Sequence, residues 1–158
     1  MNIVRTYLLT AAVLLLTASG VLAQGLPWFS FQGLDGKAFT RDQLRKDQGV
    51  LVMLFDPYCD HCDQQAAWIA AAADKFKNVQ LIFVTIEPDK QAVAGFQNRH
   101  FANKGLNVRM LQDTGFKFET WFGYTDDSIN IYCYKPGHQS AKYFGKETPV
   151  AELLKYLQ

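Results

Sequence analysis

Apolar residues along the chain follow two patterns, short unbroken runs and longer stretches with helical spacing. Residues 50–55 (VLVMLF) are continuously apolar, bounded by Gly49 and Asp56-Pro57, and residues 79–86 (VQLIFVTI) form a second short stretch, rich in β-branched residues. Runs of that length mark strands buried on both faces of a sheet. Between them, residues 60–76 (DHCDQQAAWIAAAADKF) are alanine-rich and carry Ala66, Ile69, Ala70 and Ala73 along one face, which predicts a helix. A second helix is expected to start near Pro88 and run to residue 102, because proline is tolerated in a first turn. Residues 106–111 (LNVRML) predict a third strand, and residues 113–124 a turn followed by a short aromatic helix. Residues 128–135 (SINIYCYK) alternate, Pro136 and Gly137 reverse the chain, and residues 138–145 return as a hairpin partner. The last stretch is an amphipathic helix with Thr148 as cap and Pro149 at its first position. Ahead of the first buried run, residues 26–33 read as a short strand and Asp35 with Gly36 as a turn. Residues 40–48 then read as a helix capped by Thr40 and stopped by Gly49.

This order argues an α/β architecture, with parallel strands joined by helical crossovers and an antiparallel hairpin at one edge. The first 23 residues stand outside it. Arg5 precedes a dozen apolar residues (7–18) and small residues up to Ala23, the make-up of a signal peptide cleaved near Ala23. An uncleaved anchor helix is the alternative, since the apolar run can be stretched to Ala23. The expected location is periplasmic or secreted, with no stable membrane span after cleavage. The 135 residues from Gln24 to Gln158 suffice for one domain with a single core. Apart from Arg5 the chain carries fifteen basic and fifteen acidic residues, which gives no support for nucleic-acid binding or a charged membrane patch.

Cys59, Cys62 and Cys133 all fall within this domain. A close pair in a chain large enough to fold without staples is chemical rather than structural. The pair sits where a buried strand passes into a helix, with Cys59 at the helix start and Cys62 one turn inside. Unpaired first-turn N–H groups favour negative charge on the Cys59 sulfur. The three-residue offset brings the second sulfur within reach of a mixed disulfide formed by the first. His61, between the two, favours a thiolate by charge or hydrogen bond, whereas Asp60 and Asp63 oppose one.

An apolar strand, then CDHC, then a long helix, with a hairpin and closing helix downstream, resembles the thioredoxin superfamily. The leading strand and DGKAFTRDQL resemble its exported TlpA-like redoxin branch, with an N-terminal redoxin extension. The stretch DPYCDHC is similar to an Asp-Pro-x-Cys-x-x-Cys variant common among such proteins of the Bacteroidetes. The resemblance implies a thioredoxin-like fold, a central mixed sheet flanked by helices, over residues 24–158. It also implies thiol–disulfide exchange with protein substrates, Cys59 as nucleophile and Cys62 as resolving cysteine. No cofactor is implied; electrons pass to or from a partner redox protein. Tyr58, Pro57, Ser128 and Ile129 are the expected substrate-docking positions.

Three positions depart from the family pattern. Ile129 stands, beside Ser128, where redoxins carry a cis-proline. Met53 occupies the strand position of thioredoxin's buried acid, and Gln65 the helix position where TlpA-like proteins often place a glutamate. The altered loop leaves room for a metal ion, so a copper or zinc chaperone built on Cys59 and Cys62 is one rival reading. A redox-inert binding module is another. The Pro-x-x-x-Thr-x-x-Cys context of peroxiredoxins is absent, Pro57 standing only two residues before Cys59. Cys133, Phe118, Trp121 and Phe122 are expected to pack in the core, His138 to be solvated, and His100 to lie on a helix surface or at its cap. The acidic turn at Glu87 and Asp89 is expected on the cysteine edge of the sheet.

Overall fold

Seven strands form one mixed sheet in a computed structural model that describes residues 25–158. They are β1 (Ser30–Gly33), β2 (Ala38–Thr40), β3 (Gly49–Leu54), β4 (Val79–Thr85), β5 (Asn107–Gln112), β6 (Asn130–Tyr134) and β7 (Ala141–Phe144). The proposed signal peptide, residues 1–23, lies outside the described residues. Strand order is β2-β1-β5-β4-β3-β6-β7, with β3, β4 and β5 parallel and the other pairings antiparallel. Helix α1 (Asp60–Ala71) connects β3 to β4, and α2 (Lys90–Phe101) connects β4 to β5. The short α3 (Phe118–Phe122) precedes β6, and α4 (Val150–Leu154) follows β7. Among the described residues, no helix is long and apolar enough to cross a membrane.

The strands β3 and β4 are buried on both faces, β3 as an unbroken apolar run and β4 with only Gln80 and Thr85 as polar residues, both buried. Side chains alternate across a strand. Leu51 and Met53 of β3 therefore join one core with α1, α2 and α4, while Val50 and Val52 join a second core. That second core is largely aromatic: Phe31, Phe118 and Phe122 stack with centroids 4.7–6.3 Å apart, and Trp121 meets Phe31 edge-on. Phe118, Trp121 and Phe122 thus pack in the core as expected, while Phe116 and Tyr124 at the two ends of the cluster are exposed. Cys133 is likewise buried, opposite Leu51 in the sheet, and burial pushes its thiol up.

Three local expectations are corrected. The helix predicted over residues 40–48 shrinks to a single 3-10 turn (Arg41–Gln43) after an unpredicted strand, β2. Gln80, buried in β4, accepts from Arg45 N–H and donates to Arg45 C=O, both at 2.9 Å, so the backbone there is held by the sheet instead. The Asp35 and Gly36 turn, with Gly36 at φ +81°, joins β1 and β2 as a hairpin that extends the sheet beyond β5. Pro88 lies outside α2, whose cap is Asp89 accepting from Gln91 N–H at 2.8 Å. Thr148 does not cap α4: Pro149 occupies that position, and the Thr148 backbone N–H donates to Gln65 at 2.7 Å.

Gly49 opens β3 directly beneath the C-terminal turn, where an added Cβ would overlap the Leu157 carbonyl. Gly49→Ala is expected to lower stability by about 1–3 kcal/mol, the usual cost of overpacking. Urea unfolding should show a reduced midpoint with an unchanged slope.

Candidate redox site

At the end of β3 the chain leaves the sheet through a tight turn. Phe55 N–H still donates to Val84 C=O at 2.8 Å, after which the Asp56 carboxylate accepts from Tyr58 N–H at 2.8 Å. Cys59 N–H donates to Asp56 C=O at 3.1 Å. Pro57 is buried, and Tyr58 is 70% exposed. Cys59 has extended backbone and is itself the N-cap of α1: its Sγ accepts from Cys62 N–H at 3.3 Å. A sulfur in this role satisfies one of the unpaired donors at the helix start, and an anionic sulfur accepts that bond more strongly.

The two sulfurs differ in environment. Cys59 is partly exposed, whereas Cys62 is 3% exposed. Burial pushes the Cys62 thiol up, the neighbouring Cys59 sulfur adds to it, and the Asp56 backbone pulls the other way. Both cysteines are free thiols and line a cleft of about 260 Å³ with Leu54, Phe55, Ile86, Tyr124 and Ile129. Of the expected docking residues, Ser128 and Ile129 line this cleft, whereas Pro57 and Tyr58, in the turn before Cys59, do not.

The departures from the family pattern have structural counterparts. Met53 is fully buried between Phe83 and Ile131. Gln65 is fully buried too, and its amide pairs with both backbone groups of Thr148, at 2.7 and 3.2 Å. It ties α1 to the start of α4, so a structural amide replaces a candidate proton carrier.

Each of the three histidines has a partner elsewhere in the fold. His61 turns Nδ1 to Glu147 at 2.5 Å, and this contact holds the Glu147 carboxyl below its usual range. His100 is buried, contrary to the surface expectation, with Nε2 2.8 Å from Asp63 Oδ1 and its ring against Phe96. His138, expected in solvent, is half-buried with Nε2 2.9 Å from the Gln48 carbonyl. Among the described residues, no three His, Cys, Asp or Glu side chains converge as a metal site.

Sequence reasoning missed the partners that hold the site. Arg99 Nη2 reaches both Asp63 (3.1 Å) and the Pro57 carbonyl (3.4 Å), clamping the active turn and α1 to α2. Asp127, which lines the cleft, accepts from the Tyr143 hydroxyl at 2.6 Å and from Thr125. These partners lie 16 to 86 residues from the groups they hold, except Thr125, so no local spacing announces them.

Several solved structures share this fold. A secreted disulfide oxidoreductase of Mycobacterium tuberculosis, homologous to E. coli DsbE, matches at 16% identity and TM-score 0.63, covering 80% of this chain and 94% of that one. A DsbF of MTB matches at 21% identity and TM-score 0.65, covering 80% and 90%. A SCO1/SenC family lipoprotein of Bacillus anthracis matches at 18% identity and TM-score 0.63, covering 85% and 93%. At these identities the likeness shows the fold, which is thioredoxin-like, as the resemblance implied. The chain belongs to the AhpC/TSA family, whose profile matches residues 22–143. No curated protein sequence matches it.

Asp63 supplies a test of the clamp. Bonds from His100 and Arg99 hold its carboxyl below the usual range. A depressed carboxylate adds stability that is fully present above its unfolded value and is lost as pH falls through its folded value. The melting temperature should therefore decline between about pH 5 and pH 2. In Asp63→Asn that decline should be shallower, with a lower plateau near neutrality.

Proposed function

We propose that this chain is an exported, TlpA-like thiol–disulfide oxidoreductase that exchanges disulfides with protein substrates through Cys59 and Cys62. The observation that carries this reading is the contrast within the pair: an accessible sulfur capping α1, and a buried one a single turn behind it. Cys59 thiolate attacks one sulfur of a substrate disulfide, the substrate S–S bond breaks, and its other sulfur leaves as a thiolate that takes up a proton. Cys62, deprotonated, then attacks Cys59 of the mixed disulfide and releases the second substrate thiol. Two electrons and two protons pass to the substrate, and the protein is left with a Cys59–Cys62 disulfide. The reverse sequence oxidises a dithiol.

Burial favours the protonated Cys62, so the second step needs a proton acceptor. Asp63 is committed to Arg99 and His100, which leaves Asp56, on the cleft wall, or water. His61, next to the pair in sequence, tunes the Cys59 thiolate by charge or hydrogen bond, and Pro57, Tyr58, Ser128 and Ile129 serve substrate docking. Residues 1–23 act as a signal peptide, so the domain of residues 24–158 works in the periplasm or outside the cell. Its electrons are exchanged with a partner redox protein. Less supports the metal-chaperone reading: among the described residues no third His, Cys, Asp or Glu converges on the pair, and each histidine has a partner elsewhere.

Equilibration in glutathione buffers, read by thiol trapping, tests the proposal. A potential of about −120 to −180 mV would make the protein an oxidant or isomerase, and one below about −250 mV a reductant. Thiols that never exchange would overturn it. Cys59→Ser is expected to abolish exchange, and Cys62→Ser to accumulate the mixed disulfide with substrate, visible as a mass adduct removed by dithiothreitol.

A further inference from the structure

Charge on the described surface is divided between the two ends of the sheet. The parallel strands β3, β4 and β5 all finish at the cysteine end. On the loops and helix start there stand Asp56, Asp60, Glu87, Asp89, Asp126 and Asp127. None of these carboxylates takes part in an ion pair among the described residues. Their partners are neutral: Tyr58 N–H for Asp56, Asp89 N–H for Glu87, Gln91 N–H for Asp89, and two hydroxyls for Asp127. Of the nearby bases, Arg99 is paired with Asp63 and His61 with Glu147. Lys90, whose ammonium donates only to the neutral Leu34 carbonyl, Lys117 and Lys146 are left as three positive charges against the six carboxylates.

Exposed lysines gather at the opposite end: Lys46 ahead of β3, Lys75 and Lys77 ahead of β4, Lys104 ahead of β5, and Lys135 after β6. The domain is electrically balanced in total, so this separation makes a dipole with its negative pole around Cys59. Within that anionic rim the cleft is apolar. Ile86 and Tyr124, which line it, are 58% and 52% exposed, and Tyr58, next to Cys59 in the chain, is 70% exposed.

We propose that the polypeptide meeting Cys59 is cationic, carrying Lys or Arg beside an apolar stretch that contains its own cysteine. This rests on the exchange reading above and adds the partner's charge to it. Like charge at the rim opposes an acidic partner, and opposite charge raises the encounter rate with a basic one. The field reaches about 10 Å at 0.1 M salt, enough to cover the rim of a cleft this small.

The test uses the reduced protein and two disulfide-linked peptide homodimers, identical except that lysines or glutamates flank the single cysteine. Each exchange consumes one peptide disulfide, releases two peptide thiols and leaves the Cys59–Cys62 disulfide, so the rate is read by quenched chromatography. At low salt the lysine peptide should react at least about tenfold faster, and the ratio should approach one in about 0.5 M salt. A double variant, Glu87→Gln with Asp126→Asn, should lower that low-salt ratio severalfold. Equal rates, a faster glutamate peptide, or a preference that salt does not change would overturn the proposal while leaving thiol–disulfide exchange intact. Failure of both peptides to exchange would overturn the two together.

Discussion

A helix start leaves N–H groups without intrahelical partners, and in α1 one of them, that of Cys62, is taken by the sulfur of Cys59 at 3.3 Å. The nucleophile is therefore part of the helix it precedes. Its position is set by where β3 ends and by the Asp56–Tyr58 turn, and its partner sulfur necessarily lies one turn deeper. Exposure of one sulfur and burial of the other follow from this single bond, because the next turn of α1 packs Ala66 and Ile69 into the core.

The sheet supplies the rigidity such a cap needs. β3 is flanked on both sides by paired strands and covered on both faces, so its end cannot drift relative to β4. Two side-chain devices then secure α1. Gln65 fastens it to the Thr148 backbone, and Asp63 fastens it through Arg99 and His100 to α2. Arg99 also reaches back to the Pro57 carbonyl, so the turn and the helix are held by one guanidinium.

Much of this was legible in the sequence because burial and chain reversal leave local marks. The runs at 50–55 and 79–86 were strands, the alanine-rich stretch was a helix, and Pro136 with Gly137 marked the hairpin. The failures came where a distant partner decides. Residues 40–48 have helical composition, yet Gln80 claims the Arg45 backbone from 35 residues away. His100 reads as a surface histidine until Asp63 and Phe96 enclose it, and Glu147 has no sequence link to His61. Cys59 and Cys62 were visible because their chemistry is local, whereas their supports are tertiary.

The wall facing the sulfurs shows how a scaffold absorbs the loss of a rigid residue. Where the family resemblance calls for a proline, this chain has Ile129, 2% exposed, which fills the cleft wall with an apolar side chain but does not itself fix the loop. The constraint comes from polar groups on either side of it. Tyr143 of β7 donates to Asp127 and reaches Asn130 at 3.1 Å, and Thr125 joins the same network. Gly145 is needed beneath it, because a Cβ there would overlap the Asp127 carboxylate. Bonds to Tyr143 and Thr125 hold that carboxyl below its usual range, so it stays an anion that only accepts. The loop opposite Cys59 is thus held by an anionic latch while Ile129 only fills the wall, and the latch adds its negative charge to the cleft it shapes.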